Sequence, residues 1–202
     1  MFDIPHRFAA TGLWTSNLFA DRTFIGRLAN HWELSGIFSA QSGRPFSVWN
    51  GASLTAGGDY NADGGGGAVG GGYYDRPDAP MPGTMPTSFT NAQFINGIFL
   101  PSAFPTPTIG TDGTLGRDTF RGPHQITLDA AVSRSFPVGE RRAVSLRVEA
   151  FNATNKVNLY LPNSDLSLAL RPDKTFSTTS SFGKSTSAFD GRSLQASLRF
   201  TF

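Results

Sequence analysis

One glycine-rich stretch of the sequence has residue types and a spacing that could bind a metal ion. Asp59, Asn61 and Asp63 alternate with other residues and a glycine follows, which is the D-x-N-x-D-G pattern that wraps oxygen ligands around calcium. An EF-hand would complete the site with a carboxylate at the loop's last position, but Gly70 stands there, so Asp75 or Asp78 would have to be the substitute ligand. The alternative is a flexible Gly/Asp loop without an ion. Calcium in this 59–75 loop would steady it and would not perform catalysis.

Other reactive side chains in the sequence do not form a catalytic pattern. His6, His31 and His124 are isolated and lack the spacing of a metal site such as H-E-x-x-H. Ser181 and Lys184 match S-x-x-K, but the partner motifs of that enzyme class are absent from the sequence. We therefore expect no enzyme activity, no catalytic residue and no cofactor other than the calcium considered above.

The segments around these residues show a period of two, which is the spacing of a strand and not of a helix. In residues 192–202, polar side chains alternate with Leu194, Ala196, Leu198, Phe200 and Phe202. A membrane-spanning strand needs ~9–11 residues, so this segment is long enough to face lipid on one side and water on the other. An amphipathic strand that covers a soluble core is the alternative at this point.

Further segments repeat the pattern at residues 6–17, 32–41, 125–136 and 144–151. The last two are separated by a short polar turn and form a predicted hairpin. Their polar faces carry charges in mid-strand, whereas the centres of the apolar faces carry none, as contact with lipid demands. The side chains predicted to face lipid are Leu34, Phe38, Ile126, Leu128, Val132, Val144, Leu146, Val148, Leu194 and Leu198.

Short and long connections alternate between the predicted strands. They contain about 12, about 80, about 6 and more than about 30 residues, in that order. The long ones, at about 43–124 and 155–191, are rich in glycine and proline, which disfavours long regular elements. Transmembrane barrels alternate in this way, with short periplasmic turns and long outer loops. The sequence therefore predicts an all-β, antiparallel, up-and-down segment of a transmembrane barrel, with about five or six strands and long extracellular loops.

The composition excludes several other classes of protein. A net charge of only +2 with scattered arginines gives no reason to expect a nucleic-acid partner. The sequence contains no run of about 18 apolar residues, so it does not predict a transmembrane helix. The absence of cysteine excludes disulfides and thiolate chemistry. The first residues do not form a secretion signal, so we expect a chain that either stays inside the cell or is a piece of a longer one.

An ordered set of short motifs resembles the barrel of TonB-dependent outer-membrane receptors. The motifs are FDIPHRF at 2–8, WELSGI at 32–37, QSGRPF at 41–46, DRP at 75–77, LGRDTFRGP at 115–123, EAFN at 149–152 and LRFTF at 198–202. The most similar group is the Oar-like one, which carries a carboxypeptidase-regulatory-like domain at its N-terminus. The match covers nearly the whole chain in the family's order, whereas each motif alone is weakly specific.

The resemblance implies a receptor of about 22 strands with a plug inside its barrel, which imports a substrate with energy from an inner-membrane complex. Phe200 and Phe202 match the aromatic end by which the barrel-assembly machinery recognises its clients. Residues 1–202 contain no motif that resembles the signal peptide, the plug or the energy-coupling box, so we expect them to correspond to the C-terminal part of the barrel. Five strands cannot close around a lumen, and we expect no transport by this part alone.

These expectations define the partners and the competing interpretation. The resemblance implies contact with outer-membrane lipid, the barrel-assembly machinery, the remaining strands and plug of the receptor, and an imported substrate that the sequence does not name. The alternative is a soluble β-sandwich that binds carbohydrate, in which Trp and Tyr side chains would line a groove. The mid-strand charges and the alternating connection lengths favour the barrel in the outer membrane of a Gram-negative-type bacterium.

Overall fold

The computed structural model describes residues 3–20, 23–51, 58–64, 75–86, 88–139, 141–171, 173, 175–177 and 179–202. The chain divides into two compact units. The sheet unit consists of His6–Gln41, Gln125–Asn158 and Phe189–Phe202, and the loop unit consists of Met1–Pro5, Ser42–His124 and Leu159–Ala188. No helix of the described part is both long and apolar enough to cross a membrane.

The described part contains seven strands and two α-helices. The strands are β1 (Arg7–Thr15), β2 (Trp32–Gln41), β3 (Pro45–Phe46), β4 (Phe120–Arg121), β5 (Gln125–Pro137), β6 (Ala143–Phe151) and β7 (Ser193–Thr201). The helices are α1 (Phe24–Ala29) and α2 (Asn91–Asn96), and short 3-10 helices cover Pro101–Ala103 and Leu166–Ala169. Strands therefore dominate, as the sequence predicts.

A single antiparallel sheet forms the sheet unit, with the strand order β1-β2-β5-β6-β7. Every neighbouring pair in this order is also consecutive among the long strands of the chain, which makes the sheet up-and-down. The five strands predicted from the period of two are confirmed, and their ends differ from the predicted ones by two residues or fewer. The sheet is open, because β1 and β7 each pair on one side only within the described residues.

Both short connections lie at one end of the sheet. The hairpin turn between β5 and β6 contains Gly139 with a φ of 78°, a conformation that favours glycine. The connection between β1 and β2 contains α1, although the sequence pattern predicts only a turn there. The Oγ1 atom of Thr23 accepts a hydrogen bond from the Gly26 N–H at 2.9 Å and caps this helix.

The two long connections leave the sheet at its other end and return there. Gln41, the last residue of β2, pairs with Gln125, the first residue of β5. Phe151 likewise ends β6 opposite Ser193, which begins β7. The predicted alternation of short turns and long loops is therefore present in the strand register.

The loop unit has little regular structure but has its own hydrophobic core. Its buried members are Phe46, Val48, Phe99, Phe104, Leu115, Phe120, Leu166, Ala169 and Phe182. The Phe99 ring lies 4.6 Å from that of Phe120 and 5.2 Å from that of Phe104, centroid to centroid. The glycine- and proline-rich composition predicts a loop without long elements, and the longest element in the described part of this unit has six residues. The composition gives no indication of the aromatic core.

Candidate functional site: the two faces of the sheet

The pairing register gives the sheet two chemically different faces. Directly paired residues lie on the same face, and one such row runs through Gly12, Gly36, Ala130, Ala150 and Leu194 without a slip. The residues predicted to face lipid all lie on this apolar face: Leu34, Phe38, Ile126, Leu128, Val132, Val144, Leu146, Val148, Leu194 and Leu198. Their common face follows from the register, and their contact with lipid stays a prediction.

The opposite face is polar, and hydrogen bonds between side chains connect its strands. The hydroxyl oxygens of Ser39 and Thr127 lie 2.7 Å apart across β2 and β5. Two residues further along β2, the Gln41 Nε2 donates to the Gln125 Oε1 at 2.5 Å. A face that saturates polar groups by such bonds is suited to contact with water and polar ligands and not with lipid.

A charged network occupies the middle of the polar face. The Arg147 Nε lies 2.9 Å from a carboxylate oxygen of Glu149 on the same strand, and its Nη1 lies 3.4 Å from Glu33 on β2. Together with Asp129, Arg147 and Glu149 contribute to the lining of a shallow concavity of 290 Å³. The charges predicted in mid-strand therefore meet on one surface, where they could orient a polar ligand or a neighbouring polar segment.

Two asparagines that the sequence reasoning missed hold the chain at the end of β6. The Asn158 amide bonds both backbone groups of Ile126: its Oδ1 accepts from the N–H at 2.8 Å and its Nδ2 donates to the carbonyl at 2.9 Å. The Asn152 N–H donates to an Asp129 carboxylate oxygen at 2.8 Å, and the Asn152 Oδ1 accepts from Lys156 N–H at 3.0 Å. Both asparagine side chains are buried.

A sequence signal for these asparagines exists. Asn152, Asn155 and Asn158 recur every third residue after a strand that ends in an aromatic residue. Asn152 and Asn155 have φ values of 48° and 51°, in a region that asparagine enters more readily than most residues. Such a run is typical of a turn whose side chains bind backbone groups, so we interpret these asparagines as structural residues and not as ligand-binding ones.

The residues of the predicted calcium loop lie near one another in the loop unit. An Asp75 carboxylate oxygen accepts from the N–H groups of Tyr60 and Asn61 at 2.6 and 3.0 Å. The Asp59 carboxylate accepts from the N–H of Asp63 at 3.2 Å, and the Asn61 amide nitrogen lies 3.2 Å from the Asp63 carboxylate. Hydrogen bonds thus use the same oxygens that calcium would need.

Within the described ranges, no group of three or more His, Cys, Asp or Glu side chains could hold a metal ion. Gly70 and its neighbours at 65–74 lie outside the described residues. The calcium site therefore stays a prediction, beside the alternative of a Gly/Asp loop held by its own hydrogen bonds.

An open, up-and-down sheet with one apolar face, one polar face and its long connections at one end defines the class of outer-membrane β-barrel segments. The chain matches the family model described as an outer membrane beta barrel domain over residues 1–195, and it belongs to that family. It is thus an outer-membrane protein with a barrel-wall role, and the soluble carbohydrate-binding alternative is not favoured. Searches of the curated proteins and of the solved structures returned no match to this chain.

Proposed function

We propose that the chain is the C-terminal part of the barrel of a TonB-dependent receptor of the Oar-like group. The ordered motifs from FDIPHRF at 2–8 to LRFTF at 198–202 support this assignment within the barrel family. In this proposal the sheet forms part of the barrel wall, its polar face borders the lumen, and the long outer loops contribute to substrate binding.

The open edges of the sheet carry the argument that the chain works with further strands. β1 and β7 have partners on one side only within the described residues. An unpaired backbone group in lipid costs several kcal/mol, so both edges need neighbours in a membrane. The remaining strands of a receptor barrel would supply them, and we expect no transport by this chain alone.

The exposed aromatic end of β7 supports a role in assembly. Phe200 and Phe202 are 55% and 91% exposed, and their rings stack with centroids 6.0 Å apart. Aromatic side chains that protrude from an edge strand, paired on one side only, are available to another protein. We propose that the barrel-assembly machinery recognises them during insertion.

The loop unit supports a role in binding an imported substrate. Because it has a buried aromatic core, the backbone that carries the nearby surface side chains is held in place by packing. Selectivity would come from this surface and from the plug. The substrate is therefore best identified with the complete receptor.

The length of the protein that cells make tests the receptor assignment. An antibody against the loop unit is used to isolate the protein from outer membranes, and its peptides are sequenced by mass spectrometry. We expect a heat-modifiable product much longer than 202 residues, with upstream peptides from a plug and an energy-coupling box. A product without a plug would contradict the receptor assignment and leave the barrel assignment intact.

Surface labelling tests the orientation of the sheet. Because residues 1–202 contain no cysteine, Thr106→Cys in a long loop and Arg141→Cys in a short turn each introduce one thiol into this part of the protein. On intact cells a membrane-impermeant maleimide should label the first variant and not the second, whereas lysed cells should show both labelled. The opposite pattern would invert the proposed topology.

A further inference from the structure

The apolar face of the sheet carries one charged residue near its short-turn end. Among the described strand residues on this face, Arg134 is the only charged one; it pairs with Trp32 on one side and with Leu146 on the other. A charge on a lipid-facing surface costs little near the membrane interface but more towards the bilayer centre. Arg134 lies three residues from the end of β5, which places it at a depth where headgroups are within reach.

Aromatic rings and the end of α1 fix the Arg134 side chain. Its guanidinium carbon lies 4.9 Å from the centroid of a Trp32 ring and 4.7 Å from that of Phe136. One of its nitrogens, Nη2, donates to the carbonyl of Arg27 in the last turn of α1. The Nε atom is buried without a hydrogen-bond partner among the described residues. A buried donor of this kind is costly unless a ligand accepts from the side chain.

A cavity of 580 Å³ opens beside this guanidinium. Its lining is basic and apolar apart from one serine: Arg27, His31, Arg134, Ser135, Phe136 and Pro137. No carboxylate occurs among these residues, and no described acidic group pairs with Arg27 or Arg134 in an ion pair. Two guanidinium groups around one cavity, with no acidic partner among the described residues, match an anion with several acceptor oxygens, such as a phosphate group.

The surface next to the cavity matches a lipid tail. Phe24, Ile25 and Leu28 of α1 are 81%, 59% and 59% exposed. The Trp32 Nε1 donates to the Leu28 carbonyl at 3.0 Å, which holds α1 against the apolar face of the sheet. Arginine beside aromatic and aliphatic side chains is the arrangement that binds an interfacial lipid, with its phosphate on the cations and its acyl chains on the apolar groups.

We propose that Arg27 and Arg134 bind the headgroup phosphate of an anionic phospholipid at the periplasmic rim of the barrel wall. This inference rests on the proposed orientation of the sheet, in which the apolar face meets lipid. The bound lipid would fill the cavity and accept from the guanidinium donors. It would also hold α1 at the interface.

The test uses the protein purified from outer membranes in detergent, with retained lipid counted by native mass spectrometry. The probes are phosphatidylglycerol, a diacylglycerol with the same acyl chains but no phosphate, and inorganic phosphate alone. We expect the wild type to retain phosphatidylglycerol and neither of the others. Arg27→Gln and Arg134→Gln should each weaken this binding about tenfold or more, since each removes hydrogen bonds to a charged group.

Arg141→Gln is the matched control, because it removes the same charge from an exposed position in the turn at the same rim. Equal weakening by the control, equal retention of diacylglycerol, or equal binding of inorganic phosphate would each overturn the proposal. Heat-modified gel mobility shows that each variant is folded, and Arg27→Gln remains informative if Arg134→Gln does not insert. A wild-type protein that never enters the membrane would contradict the proposed function instead.

Discussion

The two units of this chain differ in where their apolar side chains lie. Every buried hydrophobic residue of the described part lies in the loop unit: Phe46, Val48, Tyr60, Phe94, Phe99, Phe104, Leu115, Phe120, Leu159, Leu166, Ala169 and Phe182. In the sheet unit, by contrast, Leu198 is 73% exposed and Leu194 is 69% exposed. The sheet is regular without a core, and the loop unit has a core without regularity.

The difference follows from the surroundings that each unit requires. A sheet that faces lipid needs complete backbone pairing but no interior, because the bilayer itself takes up its apolar side chains. A segment in water must bury apolar area to offset the entropy of ordering a glycine-rich backbone. Phenylalanine buries a large area for each ordered residue, which explains why a cluster of rings replaces secondary structure in the loop unit.

The largest expected effect comes from opening the loop core. Phe99 contacts five other rings, including those of Phe46, Phe120 and Phe182. Phe99→Ala should destabilise the loop unit by about 3–5 kcal/mol, because it removes the ring and leaves a cavity. Limited proteolysis of the inserted protein should show faster cleavage within 42–124, with heat-modified mobility of the barrel unchanged.

Ile109→Ala is the control for this experiment, since Ile109 is an exposed residue of the same unit. It should leave cleavage at the wild-type rate. If Phe99→Ala also abolished the heat-modified mobility, the two units would not be independent in stability, and the contrast between them would fail.

A somewhat smaller effect is expected from a charge on the apolar face of the sheet. Leu198 and Ser197 are neighbours in the middle of β7 and lie on opposite faces. Leu198→Arg should cost about 2–4 kcal/mol when the barrel inserts into lipid, because its guanidinium would enter the hydrocarbon. Ser197→Arg, which would place the same charge on the polar face, should cost much less. Urea titration of folding into lipid vesicles measures both, and equal costs would refute the assignment of the faces.

The sheet could be predicted from the sequence, and the loop core could not. The period of two in the residues from Ile126 to Val132 is a local signal, because apolar and polar side chains alternate within a single strand. The core of the loop unit joins Phe46 to Phe182, which are far apart in the chain and follow no period. Only the folded structure brings them together, so composition alone predicts a loop and misses its packing.

An intermediate effect is expected at the asparagine that continues the pairing of β5. Asn158→Ala leaves the half-buried Ile126 N–H and carbonyl without their side-chain partners. We expect a loss of about 1–3 kcal/mol in the free energy of unfolding of the inserted barrel. Asn17→Ala, at an exposed position of the same unit, is the control. Hydrogen exchange at Ile126 should rise only in the first variant; unchanged exchange there would show that water replaces the amide.

The candidate site shows the same division between local and distant signals. The alternation of Leu146, Arg147 and Val148 predicts that Arg147 lies on the polar face, which the register of β6 and β7 bears out. The sequence does not predict that Arg147 meets Glu33, because that contact depends on how strands more than a hundred residues apart are ordered in the sheet. Likewise, the spacing of Asn152 and Asn158 indicates a turn but not the strand to which each binds.

The smallest expected effect concerns this ion pair, and it tests how wet the polar face is. The side chains of Arg147 and Glu33 are 37% and 42% exposed, and the N–O distance is 3.4 Å. A double-mutant cycle with Arg147→Gln and Glu33→Gln should give a coupling of about 0.2–1 kcal/mol, as is usual for pairs that water screens. The cycle is measured by urea titration at low and at high salt, and high salt should weaken the coupling. A larger coupling that salt does not change would mean that another part of the receptor covers this face. The polar face would then resemble the loop unit in having a protein interior, and the contrast between the units would hold for the apolar face alone.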